Sequence, residues 1–593
     1  MHMHDQITTL REWMKGHGLN AFVFPSTDPH SGEYVPEHWM TRQWISGFDG
    51  SAGTAVVTLQ SAALWTDSRY FLAAAEQLQD TPFLLMKDGL SETPSIAEWL
   101  CEQLHAGETA GMDGAVISCA ESDALRKTLE AKGIMLDLSH DPAAQLWEQR
   151  PPMPQGSVQM QPLSLAGETT QSKMQRVRLA IRKQGADAII VTALDEIAWL
   201  LNLRGCDVHC NPVFVGFVLL TQQTTTLFID RSKLGCEVMA YLRETDVDVQ
   251  PYDGIREALG CCEGDTFLLD PATTSHALRA AMPHSCRLVT APSPVAAMKA
   301  IKNSAEIEGF RQAMLRDGVA MVRFLMWLES DVEAGGETEM SISRKLTALR
   351  AEQPLFRGLS FDTIAGYGPH GAIVHYEATP KTDATLAPHG LLLLDSGAQY
   401  QDGTTDITRT IALGPLTEQE RLDYTLVLKG HIRLAMTRFP DGICGTQIDA
   451  LARYAMWQHG INYGHGTGHG VGAYLNVHEG PHQIRSSWKP APLHAGMTVT
   501  NEPGIYRAGS HGVRIENTML IVEDGATEFG TFLRLEPLTL CPIDLTPVLW
   551  QLMEPDEVDY LNAYHQRVCE SLAPLLTEEE RDFVRHYVRR ALA

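Results

Sequence analysis

The sequence lacks the features of membrane and secreted proteins. No apolar run among its 593 residues approaches the roughly 18 that cross a bilayer. The start, "MHMHDQITTLREWMKGHGLN", has no apolar core followed by a small-residue cleavage site, so we expect no signal peptide. Its 11 cysteines have no paired spacing, which favours free thiols in a reducing compartment. We therefore expect a cytoplasmic protein without a membrane partner.

Positive charge is scarce as well, with 47 Lys and Arg against 73 Asp and Glu and a formal net charge of −26. Such an excess of negative charge repels a phosphate backbone, so we expect no nucleic-acid partner. Several catalytic motifs are also missing. "HGTGHGVG" is not followed by the Gly-Lys-Ser/Thr of a phosphate loop, "HEG" does not begin a His-Glu-x-x-His motif, and no Gly-x-Ser-x-Gly elbow occurs.

The chain is too long for one hydrophobic core. Proline-rich breaks at 150–157 and 291–303 separate its patterned segments. With a helical tail after about residue 546, these breaks predict four segments: 1–150, 151–298, 299–545 and 546–593.

The first half of the sequence contains a weak internal repeat. "LREWMKGHGLNAFVFP" and "VRLAIRKQGADAIIVT" each run from helical apolar spacing, through Gly18 or Gly185, into a strand-like run. "ALWTDSRYF" is likewise echoed by "TLFIDRSKL". We predict two copies of one α/β unit that act mainly as scaffold, since neither copy gathers catalytic residues.

Two helix starts are predicted in the second half by the capping boxes from Thr417 to Glu420 and from Thr577 to Glu580. The second helix carries an apolar stripe of Phe583, Val584, Tyr587 and Val588. We interpret this stripe as a packing surface, against the chain's own core or against another subunit.

The segment "YGHGTGHGVGAYLNVHEGP" (463–481) sets three histidines among six glycines. Ordering glycine-rich backbone has a high entropic cost. We infer that this backbone has to pass close to a reacting centre.

Carboxylates accumulate on both sides of this loop in the sequence. "LLLLDSGAQYQDGTTDITRT" predicts an apolar strand that ends at Asp395 and a second strand that carries Asp406. Glu502 closes the strand "MTVTNE", and in "GVRIE" a period of two puts Arg514 and Glu516 on one face, where the arginine would orient the glutamate. Unpaired buried carboxylates are costly, so we expect these groups to share a cation.

Four carboxylates with at least one histidine favour a hard or borderline divalent ion, such as manganese or cobalt, over a thiolate-type structural zinc site. Four negative charges require more than one dication. The sequence therefore predicts two metal ions close together, which is a recognised hydrolytic arrangement.

At these residues the sequence resembles the pita-bread metallopeptidases, and within them the three-domain aminopeptidase P (Xaa-Pro aminopeptidase) group. The resemblance covers essentially the whole chain. Its N-terminal and middle parts rest on "FDGSAGTA", "TDSRYF", "TALDEIAWLLNLRG" and "NPVF", and its catalytic part on "GPHGAIVHY", "LLLLDSGAQY", "DGTTDITRT", "HGTGHGVGAYLNVHEGP", "NEPGIY" and "VRIEN". It implies an α/β fold class, with two related creatinase-type domains followed by a pita-bread catalytic domain.

The resemblance also implies the site residues. The family's metal ligands fall on Asp395, Asp406, His469, Glu502 and Glu516, with Asp406 and Glu516 bridging two ions. Asp395 would complete one site, and His469 with Glu502 the other. The accessory, substrate-binding histidines fall on His375, which we expect in a strand, and on His465 and His478. Glu502 and Arg514 join the histidines in the catalytic set.

The implied activity is hydrolysis of the bond between any N-terminal residue and a following proline, by a hydroxide that bridges two divalent ions. Manganese is the expected metal, with cobalt and zinc as alternatives, and the group implies a homodimer. Two other functions stay open. A prolidase would share the ligands but cleave only dipeptides, and a non-catalytic pita-bread protein would bind peptides, although such relatives usually lose ligands.

Overall fold

The computed structural model describes residues 3–589. The chain divides into two compact units, Met1–Gln161 with Glu168–Ala296 and Pro162–Gly167 with Ala297–Ala593. No helix among the described residues combines the length and the apolar character that crossing a membrane requires.

The first unit contains a six-stranded sheet in the order β4-β3-β2-β1-β5-β6. The β1–β2 and β2–β3 pairs are antiparallel, and the other three pairs are parallel. The strands are β1 (Ala21–Pro25), β2 (Thr54–Thr58), β3 (Ala62–Thr66), β4 (Leu84–Lys87), β5 (Thr109–Met112) and β6 (Met135–Asp137).

A second six-stranded sheet of this unit has the same topology. The later strands of the unit are β7 (Gln159–Met160), β8 (Ala188–Val191), β9 (Leu203–Arg204), β10 (Phe217–Thr221), β11 (Thr225–Phe228), β12 (Asp248–Gln250), β13 (Thr266–Leu269) and β14 (Arg287–Thr290). Six of them form the order β12-β11-β10-β8-β13-β14, with the same alternation of antiparallel and parallel pairs. The predicted repeat is therefore confirmed.

In each copy a helix is followed, two residues after its end, by a glycine in the left-handed conformation. Gly18 has a φ of 71° and Gly185 a φ of 79°, which an L side chain rarely adopts. The helices of residues 3–300 are α1 (Met3–Gly16), α2 (Thr41–Ser46), α3 (Phe71–Gln77), α4 (Ile96–Gln103), α5 (Cys119–Glu130), α6 (Ala143–Leu146), α7 (Leu163–Ala166), α8 (Thr170–Lys183), α9 (Leu194–Leu200), α10 (Cys236–Glu244), α11 (Ile255–Gly260), α12 (His276–Ala281) and α13 (Pro294–Ala300).

The second unit is built on two four-stranded sheets and two strand pairs. One sheet joins β15 to β18 around β16, the other has the order β19-β26-β25-β22, and the pairs are β20–β21 and β23–β24. The strands are β15 (Phe356–Tyr367), β16 (Leu391–Tyr400), β17 (Gly403–Thr404), β18 (Ile407–Ala412), β19 (Arg438–Pro440), β20 (Gly468–Gly470), β21 (Glu479–Ile484), β22 (Thr498–Asn501), β23 (Gly504–Arg507), β24 (His511–Arg514), β25 (Asn517–Thr527) and β26 (Gly530–Pro537).

Helices of the second unit pack against these sheets. They are α14 (Ser304–Ala334), α15 (Glu339–Ala351), α16 (Glu418–Ala435), α17 (Asp449–Trp457), α18 (Pro555–Leu572) and α19 (Glu578–Tyr587). Both predicted capping boxes are present, at the start of α16 and of α19. The stripe on α19 packs into the chain's own core, where Val584 is 2% and Tyr587 4% exposed. The interpretation of this stripe as a subunit contact is therefore wrong.

The positions of several site residues relative to the strands differ from the expectations. Asp395 is inside β16, which continues to Tyr400, while Asp406 lies in the gap between β17 and β18. Glu516 lies between β24 and β25, so the strand alternation assumed for it ends at Arg514. His375 is in a turn after a 3₁₀-helix, because the "GPHGA" segment closes a tight turn instead of extending β15.

Candidate metal centre

Carboxylates from separate segments of the second unit meet around one imidazole. Asp406 Oδ2 and Glu502 Oε1 each lie 3.4 Å from His469 Nε2. Ligand atoms of Asp406, His469 and Glu516 all fall within 4.8 Å of one another. Asp395 is close enough for its charge to raise the pKa of Asp406, Glu502 and Glu516. The structure thus brings the five predicted ligand residues together.

The His469 ring is oriented as a ligand would be. Its Nδ1 lies 2.8 Å from the Gly470 carbonyl oxygen, which requires a proton on Nδ1 and leaves the Nε2 lone pair directed at the carboxylates. The backbone on the other side has no room for a side chain, since a Cβ on Gly468 would lie 1.9 Å from the Thr500 carbonyl oxygen. Glycine is therefore needed here for the backbone of β20 to pass against β22.

Without a cation, this cluster of carboxylates is electrostatically unfavourable. Burial, and then the neighbouring carboxylates, raise the pKa of Asp406 and of Glu516 well above the ordinary range. Burial raises the pKa of Glu502 to about 7, although Arg514 opposes this. In addition, Asp395 Oδ1 is buried and has no hydrogen-bond partner in the part of the chain that the structure describes. An oxygen-rich donor set with one imidazole and an unpartnered buried oxygen fits hard or borderline divalent ions.

Arg514 holds Asp395, and not Glu516 as its place in the sequence suggested. Its Nη2 donates to Asp395 Oδ2 at 2.7 Å. Its connection to Glu516 is indirect, since Arg514 Nε donates to Thr408 Oγ1 at 3.2 Å and that hydroxyl donates to Glu516 Oε2 at 2.7 Å. The expectation that Arg514 and Glu516 share one strand face was wrong, because β24 ends at Arg514.

His465 is joined to Arg514 through Tyr506, a residue that the sequence reasoning missed. Arg514 Nη1 donates to Tyr506 Oη at 2.7 Å, so the phenolic proton points to His465 Nε2, 2.8 Å away. His465 Nδ1 lies 2.8 Å from the Gly466 carbonyl oxygen. Both ring nitrogens of His465 are therefore engaged within the protein.

The sequence contains one sign of the contact between Tyr506 and Arg514, which is Gly504, and the strand pairing explains why. Gly504 stands opposite Arg514 in the β23–β24 ladder, and Tyr506 is two residues further on the same face. A Cβ on Gly504 would lie 2.4 Å from Tyr506 Oη. The glycine of "NEPGIY" therefore makes room for the tyrosine to lie back towards the arginine.

The other two accessory histidines are half-buried beside the centre. The ring of His478 meets that of His469 edge to face, with centroids 4.3 Å apart. His375 follows Val374, whose carbonyl oxygen accepts from Arg514 Nη2 at 3.3 Å, and precedes Tyr376, whose hydroxyl donates to Glu339 at 2.8 Å. The structure thus holds the chain on both sides of His375.

Protein-family models match four successive segments of the chain. Residues 308–523 match metallopeptidase family M24, and residues 531–591 match its C-terminal region. Residues 6–143 and 149–306 each match a creatinase/prolidase N-terminal domain.

Relatives that match over nearly the whole chain indicate which group of metallopeptidases it belongs to. The chain is 42% identical to a probable Xaa-Pro aminopeptidase P of Laccaria bicolor, with 97% of this chain and 91% of the relative covered. It is 39% identical to Xaa-Pro aminopeptidase 1 of Dictyostelium discoideum, with 96% and 93% covered. The chain belongs to the aminopeptidase P family. A crystal structure of X-prolyl aminopeptidase from Caenorhabditis elegans, described as a cytosolic enzyme with a di-nuclear active site, superposes with a TM-score of 0.95 at 33% identity over 100% of both chains.

Membership of the aminopeptidase P family confirms the predicted α/β fold class, with two creatinase-type domains followed by a pita-bread domain. A shorter enzyme, the Xaa-Pro dipeptidase of Bacillus anthracis, matches 64% of this chain, with a TM-score of 0.51 at 25% identity.

Proposed function

We propose that this protein is a metalloaminopeptidase that removes the N-terminal residue from peptides with proline in second position, with two divalent metal ions bound. The observation that carries the proposal is the convergence of carboxylates on His469 Nε2 in a chain whose full-length relatives are named Xaa-Pro aminopeptidases. The peptide substrates are proposed from those names.

Five residues would hold the metals. They are Asp395, Asp406, His469, Glu502 and Glu516. Manganese is the proposed metal, with cobalt and zinc as alternatives, because the donor set is rich in oxygen. The bound ions supply Lewis acidity towards the scissile carbonyl and activate a water for attack.

The chain's own groups then move protons and hold charges. The Glu502 carboxylate, whose Oε1 lies 3.4 Å from His469 Nε2, would take a proton from the attacking water and return it to the leaving imino nitrogen. His375 and His478 would donate N–H groups to the oxygen on which negative charge develops. His465 acts through Tyr506, which it holds against Arg514.

The assembly proposed is a homodimer, formed through α17. Leu451, Tyr454 and Trp457 recur along this helix at intervals of three and are 40%, 62% and 46% exposed. An exposed row that contains two aromatic residues is typical of a subunit contact. Trp457→Glu should produce a monomer by light scattering at micromolar concentration, and an unchanged molecular mass would contradict this contact.

The proposed location is the cytosol, and neither a nucleic acid nor a membrane is a proposed partner. The division into 1–150, 151–298, 299–545 and 546–593 is also kept as a proposal. It is supported by the two separate sheets of the first unit.

The deciding experiment compares an Xaa-Pro-Yaa tripeptide with an Xaa-Pro dipeptide after loading with manganese. An aminopeptidase P releases the first residue of the tripeptide, and mass spectrometry would detect it together with Pro-Yaa. Cleavage of the dipeptide alone would instead identify a prolidase. Tripeptide binding without cleavage by the loaded protein would identify a peptide-binding relative.

A further inference from the structure

A buried arginine that has no carboxylate partner among the described residues lies behind the metal centre. Arg409, on β18, is 1% exposed. Within residues 3–589, its guanidinium donates only to neutral acceptors, which are the carbonyl oxygens of Pro542, Thr408, Glu516 and Cys541 at 3.0, 2.9, 2.6 and 2.8 Å, Asn517 Oδ1 at 2.8 Å and Tyr564 Oη at 2.9 Å. A buried charge without a counter-charge is costly, so a role beyond packing is expected of it.

Two of these bonds act on the proposed metal ligand Glu516. Arg409 Nη1 donates to the Glu516 carbonyl oxygen and also to that of Thr408. The Thr408 hydroxyl in turn donates to Glu516 Oε2 at 2.7 Å. Arg409 therefore fixes the backbone of Glu516 directly and its carboxylate through Thr408.

A chain of hydrogen bonds, here called the relay, continues from Arg409 to Asn501, the residue that precedes the other glutamate, Glu502. Because Asn517 Oδ1 accepts from Arg409, its Nδ2 faces His431 Nε2 at 3.4 Å. His431 Nε2 is thus the acceptor, and Nδ1–H donates to the Asn501 carbonyl oxygen at 3.1 Å. Asn501 Nδ2 donates back to the His431 carbonyl oxygen at 2.8 Å. Each donor thus fixes the orientation of the next group.

The two asparagines of the relay adjoin the two glutamates. Asn501 precedes Glu502, Asn517 follows Glu516, and the asparagines are paired across β22 and β25. Burial, and then the charge of Arg409, lower the pKa of His431 to about 3. The histidine thus stays neutral, as an acceptor at Nε2 has to be.

We infer that Arg409, Asn517, His431 and Asn501 form a positioning network that sets the separation of Glu502 and Glu516 and thereby the affinity for the two metal ions. The inference rests on the proposed function, since it takes both glutamates to be metal ligands. Supporting hydrogen bonds behind metal ligands generally act on affinity in this way.

The first test variants are Arg409→Lys and His431→Phe. A lysine is a point charge that cannot bond to Glu516, Thr408 and Asn517 at once. A phenyl ring fills the space of the His431 imidazole but makes neither of its hydrogen bonds. In each full-length variant, calorimetric titration should show a manganese Kd raised by about tenfold or more. The visible spectrum of the cobalt-loaded protein should change as well, because it reports ligand geometry.

A matched control is His565→Phe. His565 is also buried, at 4% exposure, and burial with the charge of Arg409 lowers its pKa to about 3 too. Its Nε2 accepts from the Ile543 N–H at 3.1 Å. This bond lies outside the segments that contain the glutamates, so His565→Phe should lower Tm but keep the manganese Kd within about twofold.

Manganese affinity at the wild-type level in either folded test variant would overturn the inference. So would equal losses of affinity in His431→Phe and His565→Phe, since they would show a general effect of stability. If neither test variant folds, the network is structural and the inference fails. A wild-type protein that binds no manganese would instead contradict the proposed function, so the two failures are distinguishable.

Discussion

Arg514 Nη2 lies 2.7 Å from Asp395 Oδ2, while Asp395 Oδ1 is buried and finds no hydrogen-bond partner among residues 3–589. One oxygen of the carboxylate is thus held by the guanidinium, and the other remains available to a metal ion. The same guanidinium bonds to Thr408 and Tyr506. It therefore ties Asp395 of β16 to the carboxylate of Glu516 and to the ring of His465.

Arg514→Lys should lower kcat and metal affinity, each by about tenfold to a hundredfold. An ammonium group cannot bond to Asp395, Thr408 and Tyr506 with the geometry of a planar fork. Steady-state kinetics and metal analysis of the same preparation would measure both effects.

Arg507→Lys is the control for this variant. Arg507 lies on the same strand pair but bonds to Asp423 of α16, so its substitution should leave metal content unchanged. Equal kinetics in Arg514→Lys and wild type would show that Arg514 does not position Asp395.

Asp406→Asn should abolish activity and yet stabilise the metal-free protein. The pKa of Asp406 is raised, so the folded state holds its proton more tightly than the unfolded state, and this carboxylate lowers stability as pH rises through the interval between the two pKa values. At about pH 8 a neutral amide removes this repulsion. Metal-free Asp406→Asn should therefore melt above metal-free wild type in calorimetry, and saturating manganese should reverse the order. The same order with and without manganese would argue against a metal role for Asp406.

Tyr506→Phe and His465→Ala should each reduce kcat by about tenfold or more while metal content stays at the wild-type level. The two side chains are hydrogen-bonded to each other, so the double variant should be no slower than the slower single variant. His105→Ala, at an exposed position of the first unit, should change neither quantity. Additive losses in the double variant would show that Tyr506 and His465 act separately.

Acid stability should depend on buried histidines. Burial lowers the pKa of His565 to about 3 and that of His482 to about 4. Their unfolded pKa is about 6.5, so their contribution is fully present above that pH and is lost as pH falls below it.

His565→Phe should accordingly flatten the dependence of unfolding free energy on pH by up to about 1.4 kcal/mol per pH unit between roughly pH 6 and pH 4. Denaturant unfolding across this interval would measure the slope. His586→Phe, in the last turn of α19, serves as a control outside the buried set and should keep the wild-type slope. An unchanged slope in His565→Phe would contradict the buried-neutral assignment.

Sequence reasoning located the four carboxylates because each stands in or close to a strand that the sequence pattern predicts, whereas the resemblance assigned His469 as the fifth ligand. It misassigned the partner of Arg514, because one residue decides where β24 ends, and beyond that end the alternation of faces no longer holds. It missed Arg409 and His431, since their partners lie on strands and helices far apart in sequence. A neutral buried acceptor leaves no pattern in the residues around it.

The most direct test of the account is a titration of the metal-free protein with manganese, in which bound ions and tripeptide hydrolysis are measured in the same samples. The account predicts two ions per chain at saturation, and release of the residue before proline that chelator abolishes and manganese restores. Activity that persists in chelator without bound metal would contradict it, as would a protein with two bound ions that does not cleave the Xaa-Pro bond.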